Sequence, residues 1–548
     1  MEVHGNEPER KKRVIVTDHI SEEGIEKLRK FADVDVELNL SKDELKERIG
    51  SYDALVVRSS TKVMKEIIEA GSKGRLKVIG RAGVGVDNID VETATEKGIM
   101  VVNAPEANTI SAAEHTIAML LSLSRRIPTA NLSLKSGQWE RTKHMGVEVN
   151  GKVLGVIGLG RVGSEVAKRA KGLGMKVVAY DPFISVERGR ELGIALSSFN
   201  EVLQLADFIT LHTPLTKDTH HLIGKNEFEL MKKGVRVINC ARGGILDEGA
   251  LKDALKSGKV AGAALDVFEQ EPPQTRDLLE LDEVVVTPHL GASTTEAQKA
   301  AAMVIADEVV EALKNKPVKN AVNMLYVEEE LLETIKPYLA LAEKLGLLSA
   351  QLVPRSGSIE QFNVSYEGEV GMARAAIGKN TRLLTTVILK SFLSWFTDGV
   401  NYVNAEAIAK KFGIKVTEST TAEIENFSSL ISITTITRVN GTETKRTVAG
   451  TIFGKDDPRI VKIDGYRVDA YPSGYMLICS FLDKPRVIGP VCLILGDNSI
   501  NIAGMQVGRE KAGGEEVMVL NVDSPVSDKI IEEIKRVENI FDVMLVKL

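Results

Sequence analysis

The segment that most constrains this chain runs from Val153 to Asp181: V-L-G-V-I-G-L-G-R-V-G-S-E-V-A-K-R-A-K-G-L-G-M-K-V-V-A-Y-D. An apolar run, Val153 to Ile157, ends in a glycine loop, and a helical pattern follows. Gly158, Gly160 and Gly163 satisfy G-x-G-x-x-G. The first permits a tight turn, the second lets backbone approach a pyrophosphate, and the third lets the helix pack close on the strand. The helix then presents its N-terminal N–H groups and dipole to the phosphates. A second strand, Lys176 to Tyr180, ends at Asp181, where a carboxylate can accept from the adenosine ribose hydroxyls and would repel a 2′-phosphate. Strand, loop, helix, strand and acid in this register predict a dinucleotide site that favours NAD over NADP.

A chain of 548 residues is too long for one core and implies several domains. With 43% hydrophobic and 27% charged residues the composition is that of a soluble globular protein. The net charge of −6 offers no general attraction to nucleic acid or anionic membrane, so anion sites must be local. Residues 1–13 are polar and charged and lack the apolar stretch of a secretory signal, and no run suits a membrane span. Cys240, Cys479 and Cys492 cannot all pair and lack metal-ligand spacing. The expectation is a reduced cytoplasmic protein without a metal.

Strands and helices alternate along the first 323 residues. Val14 to Asp18, Val34 to Leu38, Ala54 to Val57, Leu76 to Ile79 and Met100 to Asn103 read as strands of a parallel sheet covered on both faces. Arg58-Ser59 and Arg81 follow two of them, and ligands bind beyond the carboxyl ends of strands in such sheets, so these residues predict an anion pocket. Ser111 with Glu114 suggests a capping box opening an apolar helix. Beyond Asp181 the strands Phe208 to His212, Val235 to Asn239, Ala261 to Val267 and Val284 to Val286 deliver Thr213, then Cys240-Ala241-Arg242, then Asp266, then His289-Leu-Gly291-Ala292 to the rim of the glycine loop. From 324 to 470 short helices (Leu331 to Gln351) and alternating strands (Glu360 to Tyr366, Ile431 to Val439, Thr444 to Phe453) carry no motif of chemistry. The last 75 residues read β-α-β-β-α-β, a ferredoxin-like order.

Oxidising a secondary alcohol beside a carboxylate needs a base and a cation. His289 is the natural base because imidazole titrates near neutrality. Glu271, or the nearby Glu269, is placed to orient it and favour its protonated form. Arg242 offers a planar fork for a carboxylate.

The segments I-N-C-A-R-G-G, L-D-V-F-E-Q-E-P and T-P-H-L-G-A-S-T that carry these residues resemble the catalytic blocks of the D-isomer-specific 2-hydroxyacid dehydrogenases. The resemblance extends through V-R-S-S-T-K-V, G-R-A-G-V-G-V-D-N-I-D and N-A-P-E-A-N-T-I-S-A-A-E-H, and covers about residues 14–323. It implies an α/β fold, with a Rossmann-type NAD domain (108–294) inserted in a flavodoxin-like substrate domain (1–107 and 295–323). It implies Arg242, Glu271 and His289 as the catalytic set, and NAD contacts from Arg161, Val162, Asp181, Thr213, Cys240, Asp266 and Gly291. It also implies substrate contacts from Arg58, Ser59, Arg81 and Asn108, with Arg141 reaching in from a neighbouring subunit of a homodimer or homotetramer. The activity implied is oxidation of 3-phospho-D-glycerate, the entry to serine synthesis. The rivals are another 2-hydroxy acid as substrate, or a non-catalytic NAD-sensing regulator on the same fold. Val84 departs from relatives that carry Thr there.

Residues 324–470 resemble the α+β intervening domain of long members of this family, and 474–548 an ACT domain, a small-molecule sensor. The resemblance implies an L-serine effector near Phe481, Asp483 and Asn501. Arg486 departs from the usual loop, which has Gly after Pro, and a bulky cation there would crowd the ligand or reposition the loop.

Overall fold

The computed structural model describes residues 10–327, 329–354, 357–371, 381–424, 426–509, 511 and 513–548. The charged segment 1–9 lies outside them. Four sheets organise the chain. The first has five parallel strands in the order Asp33–Val36, Arg13–Val16, Ala54–Val57, Val78–Arg81, Met100–Val102. Its middle strand is buried on both faces, which is why Ala54 to Val57 reads as an unbroken apolar run.

The second sheet has seven parallel strands: Val284–Val286, Val260–Leu265, Val235–Asn239, Phe208–Leu211, Val153–Ile157, Lys176–Tyr180, Ala195–Leu196. The order reverses beside Val153–Ile157, the strand that feeds the glycine loop, and such a switch point opens a crevice. Helix Thr109–Arg125 carries the chain into this unit and packs on helix Arg161–Gly172. Helix Thr295–Leu313 carries it back and buries Ile305, Ala306 and Val309 against the first sheet.

The helix at 109 corrects the capping box expected from Ser111 and Glu114. It starts two residues before Ser111, with Asn108 at its N-cap. Ser111 is buried and its Oγ donates to the Gly291 carbonyl at 2.9 Å, while Glu114 pairs with Arg169 at 3.6 Å. Tertiary contact to the loop after His289 outweighs the local cap.

The third sheet has six strands in the order Lys415–Thr421, Ser358–Gly368, Ser429–Val439, Thr442–Phe453, Asp457–Ile463, Tyr466–Ala470, antiparallel except for the first pair. The short helices expected before it are one 24-residue helix, Glu329–Leu352, with Pro337 inside. Leu341, Leu345 and Leu348 are fully buried in the core of this unit, and that packing carries the helix past a residue that cannot donate its amide. The fourth sheet, Ile502–Arg509, Glu515–Val522, Tyr475–Leu482, Ile540–Lys547, is antiparallel with helices Ile488–Asp497 and Asp528–Lys535, the ferredoxin-like arrangement expected.

Candidate active site

The glycine loop has the geometry its spacing predicts. Gly158 sits at φ +93, and a Cβ there would meet the His212 carbonyl oxygen at 2.6 Å. A Cβ on Gly163 would lie 2.0 Å from the Gly158 oxygen, whereas Gly160, the helix N-cap, faces open space. Asp181 Oδ2 accepts from the Leu159 N–H at 2.8 Å and Oδ1 from the Phe183 N–H at 2.9 Å, so the acid at the second strand end also ties down the loop. Val162 packs into the core behind the loop, and Arg161 is exposed, 3.6 Å from Glu106.

Two polar atoms are orphaned here, and Thr213 packs beside this loop, where a Cβ on Gly158 would come within 3.1 Å of its methyl carbon, a position that fits a bound dinucleotide. Thr213 Oγ1 and Asn108 Oδ1 are buried without a hydrogen-bond partner, an arrangement costing roughly 1–3 kcal/mol each until a ligand supplies one. Burial pushes the Cys240 thiol up to about 12, with the Asp266 charge adding to it, so it packs as a small neutral group. The Ala241 N–H donates to Asn239 Oδ1 at 3.1 Å, and Ala292 is half-buried.

The expected His289–Glu271 contact forms. His289 Nδ1 lies 2.8 Å from Glu271 Oε2, and Glu271 Oε1 accepts from the Phe268 N–H at 3.2 Å. Burial pushes the Glu271 carboxyl up, but the hydrogen bond and charge of His289 outweigh it and hold the carboxyl below its ordinary value. The alternative partner, Glu269, instead accepts from His221 Nε2 at 3.0 Å. His289 adopts a left-handed φ of +54, uncommon for a residue with a Cβ.

Asp266 imposes that turn. It is fully buried and its carboxylate takes Thr287 Oγ1 at 2.6 Å, the Leu290 N–H at 2.7 Å and the Gly291 N–H at 2.8 Å. His115 Nε2 stands 3.1 Å from it. Three of these contacts converge on Oδ1 and one on Oδ2, so Asp266 shapes the His289 loop and keeps an acceptor position on Oδ2.

Arg242 spans the crevice. Its Nε donates to Asp87 Oδ2 of the first unit at 3.0 Å, and Nη1 to the Ala241 carbonyl at 2.7 Å. Its Nη2 abuts Gly85, where a Cβ would come within 2.1 Å. Arg81 lies against Gly83 in the same way, and its Nε is buried without a partner. Burial, then the charges of Arg242 and Arg58, bring Arg81 down to about 10, so three guanidinium groups from two units crowd one region. The Arg58 backbone is fixed on both sides: its N–H donates to Asp18 Oδ2 at 2.6 Å, and its carbonyl accepts from Asn88 Nδ2 at 2.7 Å. Ser59 beside it is exposed.

Asp18, Asp87, Asn88, His115 and Asn239 carry this geometry without having been singled out from the sequence. The partners of Asp18, Asp87, Asn88 and His115 lie tens to hundreds of positions away, whereas Asn239 ties down Ala241 and Arg242 just after it; the one visible hint is the polar pair Asp87-Asn88 closing a glycine-rich loop. Arg141 is exposed on the segment after helix Ile127–Lys135, and no described hydrogen bond or ion pair joins it to the site.

The expected effector residues do not meet within one chain. Phe481 is buried in the core of the fourth sheet's unit, so its side chain is not free to touch a ligand. Asp483 accepts from the Gly513 N–H at 2.9 Å and pairs with Arg509 at 3.2 Å. Asn501 donates to Asp523 at 2.6 Å. Strand pairing places Leu482 beside Glu515 but Ile502 beside Val522, so Asp483 and Asn501 occupy opposite ends of the sheet, ~20 Å apart at about 3.3 Å per residue. Arg486 sits at φ +71, the region that favours glycine.

Among the described residues no cluster of His, Cys, Asp and Glu is placed to hold a metal, and no helix is long and apolar enough to cross a membrane. Residues 117–291 match the NAD-binding domain of the D-isomer-specific 2-hydroxyacid dehydrogenases. Residues 334–464 match the D-3-phosphoglycerate dehydrogenase intervening domain, and 475–539 the ACT domain. A D-3-phosphoglycerate dehydrogenase of Methanocaldococcus jannaschii is 47% identical over 98% of this chain and 100% of its own length. One from Bacillus subtilis is 44% identical over 98% and 99%. Among solved structures, a glyoxylate reductase from Paecilomyes thermophila is similar over 57% of this chain and 98% of its own (TM-score 0.53, 29% identity). A pyruvate reductase of Chlamydomonas reinhardtii matches over the same shares (TM-score 0.52, 30% identity). The chain belongs to the D-3-phosphoglycerate dehydrogenases, the branch of the D-isomer-specific 2-hydroxyacid dehydrogenase family that carries an intervening and an ACT domain.

Proposed function

We propose that this chain oxidises 3-phospho-D-glycerate to 3-phosphooxypyruvate with NAD, the first step of phosphorylated serine synthesis. The observation that carries the reading is the joint presence, across one crevice, of the His289–Glu271 pair and the cationic group Arg58, Arg81 and Arg242. With its Nδ1–H donated to Glu271, His289 directs the Nε2 lone pair at the substrate hydroxyl and takes its proton. Glu271 stays ionised and favours the imidazolium that forms. Arg242 clamps the carboxylate, which fixes the C2 hydrogen relative to the crevice. Arg58 and Arg81, whose buried Nε has no partner, take the phosphate. The loop Gly158–Gly163, Asp181 and Thr213 hold the dinucleotide, which when bound supplies the hydride acceptor.

Arg58→Ala tests substrate class. Losing one charged hydrogen bond of roughly 1.5–3 kcal/mol should raise KM for phosphoglycerate about 10- to 100-fold and leave that for D-glycerate unchanged. An equal rise for both substrates would remove phosphate recognition from the assignment.

The same reading makes the protein a cytoplasmic homodimer or homotetramer, supported by three unpaired cysteines and by exposed Leu132, Leu134, Trp139 and Met145 around Arg141. L-serine is the effector read for the ACT domain. A site using both Asp483 and Asn501 then requires two copies of the chain.

A further inference from the structure

A cavity of about 810 Å3 lies away from the catalytic crevice, where the first unit meets the helices of the third. Among the described residues its apolar wall includes Leu325, Leu339, Leu383, Val387, Tyr402 and Val403. Leu325 and Tyr402 are 42% and 46% exposed, large apolar side chains left uncovered inside a concavity. Its volume falls within the roughly 300–1,000 Å3 of small-molecule sites, which favour such domain junctions.

Charges at the rim already have partners. Arg382 binds Glu406 with two hydrogen bonds of 3.3 and 3.0 Å, and Glu343 holds Lys390 at 3.2 Å. Lys316 pairs with Glu311 at 3.4 Å and Lys336 with Glu333 at 3.6 Å. A free phosphate would find no spare cation here and would leave the apolar wall wet. The complementary occupant is uncharged overall, with an apolar body of one or two rings and a polar end for the paired rim.

The cavity abuts a short path to the substrate residues. Asn323, in its wall, donates to Thr95 Oγ1 and the Ile99 carbonyl, both at 3.0 Å. Asn401 of the third unit donates to the Gly98 carbonyl at 2.9 Å. Thr95 lies in the last turn of the six-residue helix Val91–Glu96, about 9 Å long at 1.5 Å per residue. At its other end the Asp90 N–H donates to the Val63 carbonyl, and Val63 donates to that of Asn88. Asn88 fixes Arg58, and Asp87 fixes Arg242.

We propose that this junction cavity is an effector site for an uncharged, largely apolar small molecule, and that its occupancy changes substrate affinity through the Val91–Glu96 helix. The coupling half rests on phosphoglycerate being the substrate; the binding half does not.

The test uses the full chain with saturating NADH, so that the dinucleotide crevice is filled, and Nile red as the neutral probe. Saturable, blue-shifted fluorescence is expected in the unaltered protein, with affinity at least tenfold weaker in Ala340→Trp and in Ala407→Trp, each of which fills the cavity. Melting temperatures within a few degrees of the parent verify that these variants fold. Equal binding by both variants, or no saturable binding, overturns the site. The Kd for 3-phosphoglycerate, read by calorimetry whether or not turnover is seen, should shift threefold or more with probe bound. Thr95→Val should still bind Nile red but lose most of that shift. An unchanged Kd with probe bound overturns the coupling.

Discussion

His289 is held from two directions: Glu271 fixes its ring, and Asp266, through the Leu290 and Gly291 N–H groups, fixes its backbone. These holds separate by mutation. His289→Ala should cut kcat roughly 10²- to 10⁴-fold, the range of a general base, while NADH binding by fluorescence titration stays within about twofold. A comparable loss in both would make His289 structural. Glu271→Gln keeps the shape of the contact and removes its charge. Because the carboxyl is held below its ordinary value, it is ionised throughout the neutral range, and its contribution is lost only as pH falls through that lowered value. Glu271→Gln should therefore move the acid limb of the kcat/KM profile to lower pH and reduce its plateau tenfold or more; an unmoved limb would separate Glu271 from the proton transfer. Arg242, Glu271 and His289 were legible because each stands just past a strand of one nucleotide sheet. Asp87 and His115 were not, since their partners are 155 and 151 positions distant and no local pattern joins them.

At the scale of elements, the Val153–Asp181 unit was readable from its glycine spacing, because Gly158 and Gly163 each meet backbone that a side chain would strike, while Gly160 leaves the helix N-terminus open. Gly163 is the sharpest case, with no room for a methyl group against the Gly158 carbonyl at 2.0 Å. Gly163→Ala should force helix Arg161–Gly172 off the strand and weaken NADH binding at least tenfold while far-ultraviolet circular dichroism stays unchanged; unaltered affinity would show that the close approach is dispensable. The start of the preceding helix was misread for a physical reason. Ser111 and Glu114 satisfy the local pattern of a cap, but Ser111 is turned inward to Gly291, 180 positions away. The long helix Glu329–Leu352 was missed because Pro337 signals a break that its buried leucine face overrides.

At the scale of the whole molecule, a nucleotide sheet and a substrate sheet share one rim. A third unit anchors to the substrate sheet through Asn401 and Gly98, and the ACT unit follows it. The parallel sheets of the first 323 residues followed from strand–helix alternation and the ferredoxin-like ACT unit from its β-α-β-β-α-β order, whereas the third sheet was read only in part, since its strands Lys415–Thr421, Asp457–Ile463 and Tyr466–Ala470 are polar or short. Arg486, exposed at φ +71, is one of three non-glycine residues in the left-handed region among the described residues of the ACT unit, with Ser499 and Asn539. Arg486→Gly should relieve about 1 kcal/mol and raise the melting temperature of the ACT transition by a few degrees. No rise would mean that the Arg side chain compensates for its conformation.

The central claim is that the His289–Glu271 pair and the three arginines form one catalytic crevice for a phosphorylated 2-hydroxy acid. Its most direct test is NAD reduction at 340 nm with 3-phospho-D-glycerate, for the purified chain beside His289→Ala. The account predicts turnover that saturates with phosphoglycerate, exceeds that with D-glycerate at equal concentration, and falls at least 100-fold in the variant. NADH binding without phosphoglycerate turnover, or turnover indifferent to His289, would contradict it.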